Sequence, residues 1–532
     1  MLKTTRRVLA MMFIVGTTLL FLDITGTLHL WLGWMAKIQF VPAFLALNAL
    51  VVIALLLLTL VLGRIYCSVI CPLGIFQDLI AHAATFKKHN PYSFSRAKNI
   101  LRNIVLVGFI ICLIAGIGSV VSLLEPYSAF GRIASTLLQP VYLAGNNVLA
   151  SVAQSLDSYA FYGRDVWVRS TLTLMIAIVT LAIVGFLAWR GGRTYCNTIC
   201  PVGTFLGYFS RFAWFRIHFD GSKCTQCGKC TRNCKAACID FKQLKVDHSR
   251  CVTCGNCLTY CDFDAIHFGH PSAANIQSNK KHRDELKQKE ANRAARKAEK
   301  QHDDTITAET TASPSRPTYD DSPSNTSRRN FLLGTVLATT TATMAQLEKK
   351  VDGGLAKIED KVTPLRGTQI TPPGSLSAEH LAQHCTSCQL CVSQCPNDVL
   401  KPSTDLHHFM QPYLDFNRGF CRPECTICSE VCPTGAIRKI DKADKSSLQI
   451  GHAVWIKKNC VVLNDNVTCG NCARHCPTHA IEMIDYDGPK GKVQIPSVNI
   501  TKCIGCGACE NLCPARPFAA IYVEGHEMHK MI

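Results

Sequence analysis

The sequence lacks the short motifs with which a chain attaches haem covalently or handles a nucleotide. It contains no Cys-x-x-Cys-His, no Gly-x-Gly-x-x-Gly and no phosphate-binding P-loop. Acidic residues are also few, with 38 Asp and Glu against 56 Lys and Arg in 532 residues. These absences argue against an enzyme that acts on a nicotinamide or a nucleotide.

The net charge of +18 would suit a nucleic-acid partner, but the positions of the basic residues favour a membrane. They stand mainly at the ends of apolar segments and in a run over residues 279–300. Basic residues beside apolar spans usually mark the cytoplasmic side of a membrane protein. We therefore expect the membrane, and no nucleic acid, among the partners.

Four apolar segments predict an α-helical membrane domain with four transmembrane helices over residues 1–215. A bilayer span needs ~20 apolar residues. The segments are 8–22, 41–62, 104–124 and 171–189. The first is cut short by Asp23 and is long enough only if its helix continues through residues 28–31. A buried core helix is the alternative for any one segment.

The basic residues also orient these segments. They cluster before the first, between the second and third, and after the fourth, at Lys3, Arg6, Arg7, Arg64, Lys87, Lys88, Arg96, Lys98, Arg102, Arg190 and Arg193. The positive-inside rule then puts the N-terminus and the chain after the fourth span in the cytoplasm, for a protein of the bacterial inner membrane. The outer loop over residues 125–168 could carry an interfacial helix.

An internal repeat follows the second and fourth segments. Residues 63–76 and 192–205 match at nine of fourteen positions, including Cys67 and Cys71 in one copy and Cys196 and Cys200 in the other. Two copies on the same side predict a parallel repeat. Cysteines at i and i+4 share a face if the segment is helical, so the pairs could converge on one redox or metal site. A disulfide, or a turn at the membrane exit, is the alternative.

Two ferredoxin-like arrays with x2-x2-x3 spacing follow over residues 216–270. They are Cys224, Cys227, Cys230, Cys234 and Cys251, Cys254, Cys257, Cys261. In the bacterial ferredoxin pattern the fourth Cys binds the neighbouring [4Fe–4S] cluster, so Cys261 should join the first three and Cys234 the second three. Lys235 and Asp262 stand where Pro is usual, and Cys238 competes with Cys234. Zinc is the alternative metal.

A polar linker separates this part from the rest of the chain. Residues 271–326 are predicted to be a charged or disordered tether. Residues 327–346 contain Ser327-Arg328-Arg329-Asn330-Phe331 ahead of a mildly apolar run, which resembles an internal twin-arginine export signal. We expect residues 331–345 to be a fifth transmembrane helix that places the remaining chain in the periplasm. A linker helix with an incidental Arg-Arg pair is the alternative.

Four more arrays occupy residues 347–532. They are Cys385, Cys388, Cys391, Cys395; Cys421, Cys425, Cys428, Cys432; Cys460, Cys469, Cys472, Cys476; and Cys503, Cys506, Cys509, Cys513. The tails 433–437 and 477–481 each predict a ferredoxin turn followed by a short strand. The six arrays predict six [4Fe–4S] clusters on 24 of the 30 cysteines, in α+β domains like those of bacterial ferredoxins.

The two halves resemble two families of ferredoxin-type proteins from periplasmic nitrate respiration. The membrane half, with Cys-x3-Cys-Pro after the second and fourth segments and a double ferredoxin, resembles the NapH proteins. The half from residue 327, a twin-arginine stretch before four arrays, resembles the NapG proteins. A fusion of the two implies a quinol dehydrogenase that passes electrons from the quinone pool to a periplasmic reductase or cytochrome. The changed residues at 235 and 262 leave the electron acceptor open.

Two classes of function follow from these patterns. The first is electron transfer from quinol through the clusters to an exported acceptor, with Cys67, Cys71, Cys196 and Cys200 taking part in the quinol reaction. The second is an accessory role, in which a polyferredoxin assembles or reductively activates a partner metalloenzyme. Rapid reduction of the clusters by menaquinol, followed by EPR in membranes, would favour the first.

Overall fold

The computed structural model describes residues 2–23, 26–86, 92–273, 275–285, 288, 359–488 and 491–532. Most of the predicted tether over residues 271–326 lies outside these described residues. The twin-arginine stretch over residues 327–346, with its predicted crossing at 331–345, lies wholly outside them.

The chain up to residue 210 is helical, because its long runs of Leu, Ile, Val and Ala bury apolar surface best as packed helices. Helices α1–α14 are Leu2–Leu22, Leu28–Leu32, Trp34–Lys37, Phe40–Leu45, Ala49–Leu62, Tyr66–Val69, Pro72–Thr85, Asn99–Ile114, Gly118–Leu124, Pro126–Ile133, Gln139–Ser155, Thr171–Gly191, Thr194–Thr198 and Pro201–Ser210. A π-helical turn over Ala134–Leu138 joins α10 to α11.

Two helices of the described residues, α1 and α12, are long and apolar enough to cross a membrane. The other two predicted spans are shorter in the structure, with 14 residues in α5 and 16 in α8. The four full spans predicted from the sequence are therefore not confirmed.

Local capping explains why these segments break where they do. Segment 41–62 divides into α4 and α5 because Leu47 has a φ of +53° and the Asn48 side chain accepts the Val51 amide at the start of α5. Segment 104–124 divides into α8 and α9 around Gly116, whose φ is +71°.

The first segment also differs from its prediction. Its helix does not continue through residues 28–31, since the Asp23 carboxylate accepts the amides of Gly26, Leu28 and His29 and starts a separate helix there. Helix α1 gains its length at the other end, where it begins at Leu2.

The predicted outer loop enters the core of the bundle. Every residue of α10 is buried, and the Glu125 carboxylate caps it by accepting the amides of Tyr127 and Ser128. Helix α10 packs against α7 and α12. An interfacial position is therefore wrong for α10, whereas α11 exposes apolar side chains such as Val141 and Val148.

The first ferredoxin-like domain carries two short helices and two strand pairs. Its helices are α15 Lys229–Arg232 and α16 Asn256–Thr259, and its strands are β1 Arg216–Phe219, β2 Ile239–Asp240, β3 Lys245–Val246 and β4 Ile266–Gly269. Strand β1 pairs with β4 and β2 with β3, both antiparallel.

The described part of the second cysteine-rich domain has seven helices and three antiparallel strand pairs. Its helices α17–α23 are Ala378–His384, Leu390–Ser393, Ile427–Val431, Lys442–Ser447, Val461–Asn464, Asn471–Arg474 and Ala508–Asn511, with a 3₁₀ turn over Lys457–Asn459. Strands β5–β10 are Leu400–Pro402, Pro412–Leu414, Leu448–Trp455, Ile481–Gly488, Gly491–Val498 and Ile521–Met531. The antiparallel pairs are β5 with β6, β7 with β10, and β8 with β9.

The strand predicted after residues 477–481 is present as β8, which begins at Ile481. The strand predicted after residues 433–437 is wrong, since the chain there goes through an irregular stretch into α20.

Helices α1 and α12 belong to the compact unit formed by Met1–Arg283 and Val362–Ile532. Each of them contacts the first ferredoxin domain at one end and the second ferredoxin domain at the other. At the start of α1, the Lys3 ammonium lies 5.1 Å from the centroid of the Tyr260 ring. At its end, the Gln394 side chain donates to the Leu20 carbonyl over 2.5 Å.

Helix α12 makes the same kind of connection in the opposite direction. Arg169, just before it, lies 3.5 Å from Asp398, and Arg193, just after it, donates its amide to the Lys235 carbonyl over 2.9 Å. Each helix has 21 residues, which makes it about 30 Å long at 1.5 Å per residue. The two ferredoxin domains therefore lie at opposite ends of the same helices.

Candidate metal centres

The structure brings the cysteines of the first domain together in two crossed sets of four. Within the first set the charge of Cys224 interacts with those of Cys227 and Cys261. Within the second, Cys257 interacts with Cys254, Cys251 and Cys234. These are the two groupings expected from the bacterial ferredoxin pattern.

Cys238 lies beside the second set. Its Sγ is 3.6 Å from that of Cys234, and its side chain also forms a hydrogen bond with that of Cys251. Cys254 and Cys257 interact with Cys234, which is thus the better placed fourth ligand. Cys238 stands close enough to replace it after a small movement.

The same crossing recurs twice in the second domain. The sets are Cys385, Cys388, Cys391 with Cys432; Cys421, Cys425, Cys428 with Cys395; Cys460, Cys469, Cys472 with Cys513; and Cys503, Cys506, Cys509 with Cys476. All 24 array cysteines thus fall into six sets of four.

The local backbone explains how closely spaced cysteines can face one centre. The residue directly after the second Cys has a positive φ in five of the arrays, at Gly228, Gly255, Gln389, Gly470 and Gly507. This conformation reverses the chain so that both sulfurs point inward, and glycine adopts it without steric cost. The array from 421 to 432 differs, since Thr426 at this position has a φ of −115°.

The crossing cysteines also accept backbone hydrogen bonds on sulfur. The Sγ atoms of Cys261, Cys476 and Cys513 accept the amides of Ala265, Ala480 and Ala520 over 3.2 to 3.3 Å. Such bonds favour the thiolate, which is the form that binds metal.

Burial opposes the thiolate in the absence of a metal. It raises the pKa of Cys385 and of Cys506 to about 12, and that of Cys472 to about 11. Bare thiols at these positions are protonated at pH 7, so metal binding must displace their protons. Four sulfurs in a buried, amide-lined site fit a [4Fe–4S] cluster, which would serve as a one-electron carrier there.

The four sets of the second domain form a row that does not follow their order in the sequence. Cys391 of the first set interacts with Cys428 of the second. Cys421 of the second set donates its amide to the Cys506 carbonyl over 2.9 Å. Cys509 then interacts with Cys472. The fourth array thus stands between the second and the third.

Sequence reasoning missed a lysine inside this row. Lys445 is buried and donates to the carbonyl oxygens of Arg422 and Cys425. Burial lowers its pKa, but the thiolates of Cys421 and Cys428 raise it, and the net shift is upward. A positive charge therefore lies next to the Cys421 set. One Lys among several in residues 439–445 gave no signal of this.

The four cysteines of the internal repeat meet inside the helical bundle. Each is only 3–4% exposed, and the charge of Cys71 interacts with those of Cys196, Cys67 and Cys200. The shared helical face expected for each pair is wrong, because the helix stops between them. Cys71 is the N-cap of α7 and Cys200 the N-cap of α14. The pairs converge through two half-helices instead.

Two arginines lock the repeat copies together reciprocally. Arg64 of the first copy donates to Asn197 over 2.9 Å and to the Cys196 carbonyl over 3.2 Å. Arg193 of the second copy donates to the Cys67 carbonyl over 2.5 Å. A methyl group at Gly74 or Gly203 would overlap these contacts. The repeated Gly-Arg and Pro-x-Gly residues thus have a structural reason.

Positive charge exceeds negative charge around these thiols. The carboxylate of Asp78 meets three cations, with Arg193 at 2.8 Å, Arg6 at 2.9 Å and Lys235 at 3.5 Å. Arg64 bonds to neutral groups. Burial raises the pKa of the Cys196 thiol, and the charges of Arg193 and Arg64 offset this only in part. Metal binding there must therefore displace a proton. Among the described residues, neither these four cysteines nor the six array sets form a group of three or more Cys, His, Asp or Glu side chains that could hold a single metal ion.

The buried helix α10 separates this site from the Cys385 set. Its Gly131 packs so closely on the Cys388 carbonyl that a methyl group there would overlap it. Tyr127 is fully buried and lies near Cys388 and Glu125. Sequence reasoning assigned no role to this helix, because its eight residues form no known motif.

These cysteine sets define the molecule as a ferredoxin-type iron–sulfur protein whose cluster domains are attached to a helical bundle. Two segments, 382–454 and 467–516, match the family described as "4Fe-4S dicluster domain". Residues 244–267 match a "4Fe-4S binding domain". A further "4Fe-4S binding domain" matches residues 44–91 and 171–220, which contain both copies of the repeat.

Relatives agree with this class. The ferredoxin-type protein MauM of methylamine utilization from Methylobacillus flagellatus is 33% identical over 165 residues, 30% of this chain and 70% of the relative. NapG of Escherichia coli is 31% identical over 180 residues, 30% of this chain and 75% of the relative. NapF of Escherichia coli is 28% identical over 158 residues, which are 30% of this chain and 87% of the relative.

The chain belongs to the family of ferredoxin-type proteins that includes MauM and NapG. The NapH- and NapG-like resemblance seen in the sequence is supported, and the protein is an iron–sulfur electron carrier with [4Fe–4S] clusters. No solved structure matches the chain significantly.

Proposed function

We propose that this protein is a membrane-bound carrier that takes electrons from quinol and passes them through six [4Fe–4S] clusters to an acceptor outside the membrane. The observation that carries the proposal is the position of α1 and α12. Each is about 30 Å long, which equals the hydrocarbon thickness of a bilayer. Each also touches the first ferredoxin domain at one end and the second at the other.

The proposal places the two domains on opposite sides of the membrane. Lys3, Arg6 and Arg7 begin α1 next to the first domain, so that domain faces the cytoplasm by the positive-inside rule. The four clusters from Cys385 to Cys513 then face the periplasm, within reach of a periplasmic reductase or cytochrome. This arrangement retains the crossing predicted at residues 331–345.

The four-cysteine site is proposed to be a relay between the two cluster groups. Arg193 and Asn197 beside it bond to the carbonyls of Lys235 and Ala236, which follow the cluster ligand Cys234. On its other side α10 reaches Cys388. Cys67, Cys71, Cys196 and Cys200 would hold its metal centre, and Arg64 and Arg193 would balance the negative charge.

Metal content and reduction by quinol test the proposal together. The protein, purified anaerobically and placed in lipid nanodiscs, should contain about 24 irons for the six array clusters, since each cubane holds four, and further iron in the relay. Menadiol should reduce these clusters, as followed by EPR. Zinc in place of iron, or clusters that dithionite reduces but menadiol does not, would contradict the proposal and favour an accessory role in maturation.

A Cys196→Ser variant tests the relay separately. Menadiol should still reduce the cluster group on the side where quinol delivers its electrons at the parental rate, whereas the group on the other side of the relay should lag. Cys112→Ser is the matched control, because Cys112 is a lone cysteine in α8, outside the six arrays and the repeat. Equal reduction of all clusters in both variants would leave Cys196 with a structural role only.

A further inference from the structure

We infer that the first ferredoxin domain docks an acidic one-electron carrier protein, and that the two exchange an electron through the Cys224 set (Cys224, Cys227, Cys230 and Cys261). The inference rests on the proposed function for the clusters and their sidedness, and it adds a second, soluble partner on the cytoplasmic face. Three features of the described residues carry it: a wide cleft, the exposed cations of that cleft, and the position of the cleft against the Cys224 set.

The cleft lies between residues 92–99 and residues 228–250 and has a volume of about 1120 Å³. That is more than the ~300–1,000 Å³ usual for pockets that enclose a small molecule, so the cleft suits part of a protein surface. Its lining contains six cations and two carboxylates, which are Arg96, Arg211, Arg232, Lys242, Lys245 and Arg250, against Asp240 and Asp247.

The cations of the cleft face solvent, whereas its carboxylates already have partners. Five of the six cations are exposed, and none of these five forms an ion pair with a described residue. The sixth, Arg250, pairs with Asp247 over 2.7 Å. The Asp240 carboxylate accepts the amides of Lys242 and Gln243 over 3.1 and 3.2 Å. A cleft dominated by one sign of charge raises the local concentration of an oppositely charged partner, so this one selects an acidic partner.

The Cys224 set lies directly behind one wall of the cleft. Gly228 and Phe241 line the cleft and also line the small cavity between the four cysteines of this set. Arg232, on the same wall, donates to the Cys227 carbonyl over 3.1 Å. Cys227 is the only exposed residue among the 30 cysteines, all of which lie in the described part of the chain. A carrier seated in the cleft would therefore stand next to this cluster.

The charge of the cleft and the exposed cysteine together identify the kind of occupant. A second copy of this chain carries the same net charge of +18, so a positive cleft would repel it. An anionic lipid would satisfy the charge but makes no use of a cluster at the surface. Electron-transfer proteins form small interfaces, below about 1,200 Å², and charge orients them. A small acidic ferredoxin has this chemistry.

The exchange is the transfer of a single electron. The reduced carrier gives up one electron and is oxidised, and the oxidised [4Fe–4S] cluster of the Cys224 set takes that electron and is reduced. No bond breaks and no proton moves. The cluster chain thus has a point of electron exchange that needs no quinol.

Binding is measured first, without turnover. The probe is an oxidised, acidic [2Fe–2S] ferredoxin, titrated by calorimetry onto the full-length protein in phosphatidylcholine nanodiscs. An Arg96→Glu/Lys245→Glu variant reverses two exposed charges of the cleft outside the cysteine loops, and should raise the Kd about tenfold. Lys442→Glu/Lys492→Glu makes the same change of charge on the exposed surface of the second domain, and this matched control should bind like the parent.

Rapid-freeze EPR then follows the transfer itself. Reduced ferredoxin, freed of excess reductant, should lose its signal as the clusters of the protein gain theirs. At a low ferredoxin concentration this should be about tenfold slower in the cleft variant than in the control variant, as the weaker binding requires. Dithionite should reduce both variants to the same final extent, which shows that both keep their clusters.

Equal Kd values in the cleft variant and the control variant would overturn the inference. A cleft variant that keeps its affinity for the ferredoxin but no longer binds phosphatidylglycerol vesicles would also overturn it, because the cleft would then be a lipid site. Both results leave the proposed function intact. A parent protein that menadiol cannot reduce would overturn the proposed function, and the ferredoxin titration would still report on the cleft.

Discussion

Lys445 shows how one side chain can set the properties of a cluster. It is held by two carbonyl oxygens inside the loop that carries Cys421, Cys425 and Cys428. A fixed positive charge next to a cluster favours its reduced form, which carries one more electron.

A Lys445→Met variant should lower the reduction potential of this cluster by roughly 70–120 mV. That is the effect of a unit charge at ~6–10 Å with an effective dielectric of about 20. A redox titration followed by EPR measures it. Lys442→Met, exposed on the same helix, is the control and should leave the potential unchanged. Equal potentials in both variants would show that Lys445 acts only in packing.

The cysteine pair Cys234 and Cys238 gives a second prediction at this scale. With its Sγ 3.6 Å from that of Cys234, Cys238 can take over as ligand when Cys234 is removed. A Cys234→Ser variant should therefore keep its iron and its EPR signal. The Cys234→Ser/Cys238→Ser double variant should lose about four irons, the content of one cubane.

The Cys238→Ser single variant is the matched control and should retain full iron content. Loss of the cluster in the Cys234→Ser variant alone would contradict the takeover. It would show that the backbone around residue 238 cannot adjust to the cluster.

At the scale of elements, the half-helices α7 and α14 depend on the reciprocal arginines. Arg193 is fully buried and binds both Asp78 and the Cys67 carbonyl. Because it belongs to one repeat copy and its partners to the other, it acts as a clamp between copies. Its loss leaves a buried carboxylate with fewer cations and a carbonyl without its donor.

An Arg193→Ala variant should lower the free energy of unfolding by about 3–5 kcal/mol, the usual cost of breaking a buried ion pair. Thermal unfolding of the detergent-solubilised protein would show the loss. Arg190→Ala, three residues earlier and exposed, is the control and should change stability little. Similar melting of both variants would mean that Arg193 is not a clamp.

The sequence predicts the cysteine sets well because their ligands are close along the chain. Three ligands of each set lie within a few residues of one another, and the metal requires that spacing. The breaks in the apolar segments depend instead on single caps, such as Asn48 and Asp23, whose effect is not visible in hydrophobicity. The convergence of Cys71 with Cys200 depends on tertiary packing of α7 and α14.

The buried helix α10 could not be predicted for the same reason. Glu125 and Arg132 would place it on a surface by composition, yet both are at most 1% exposed. Their burial is stabilised by local hydrogen bonds, since Arg132 donates to the Ser122 carbonyl and Glu125 accepts amides of its own turn. Only the folded structure shows these partners.

For the whole molecule, the sidedness of the two cluster domains is the main prediction. Protease added to intact spheroplasts should remove an epitope at the C-terminus, because residues 359–532 should face the periplasm. An epitope in the first ferredoxin domain should survive until the membrane is broken. A C-terminal epitope that is protected in intact spheroplasts would place all six clusters inside and contradict a route across the bilayer.

The row of sites in the second domain has a consequence for biosynthesis. The last of the six arrays in this sequence, from Cys503 to Cys513, stands in the middle of the row. It also supplies Cys513 to the third array's set and takes Cys476 from it. A chain that terminates before Cys503 therefore loses two neighbouring centres, not one. Under the proposed function, a fragment that ends before this array would hold only the first two centres of the row.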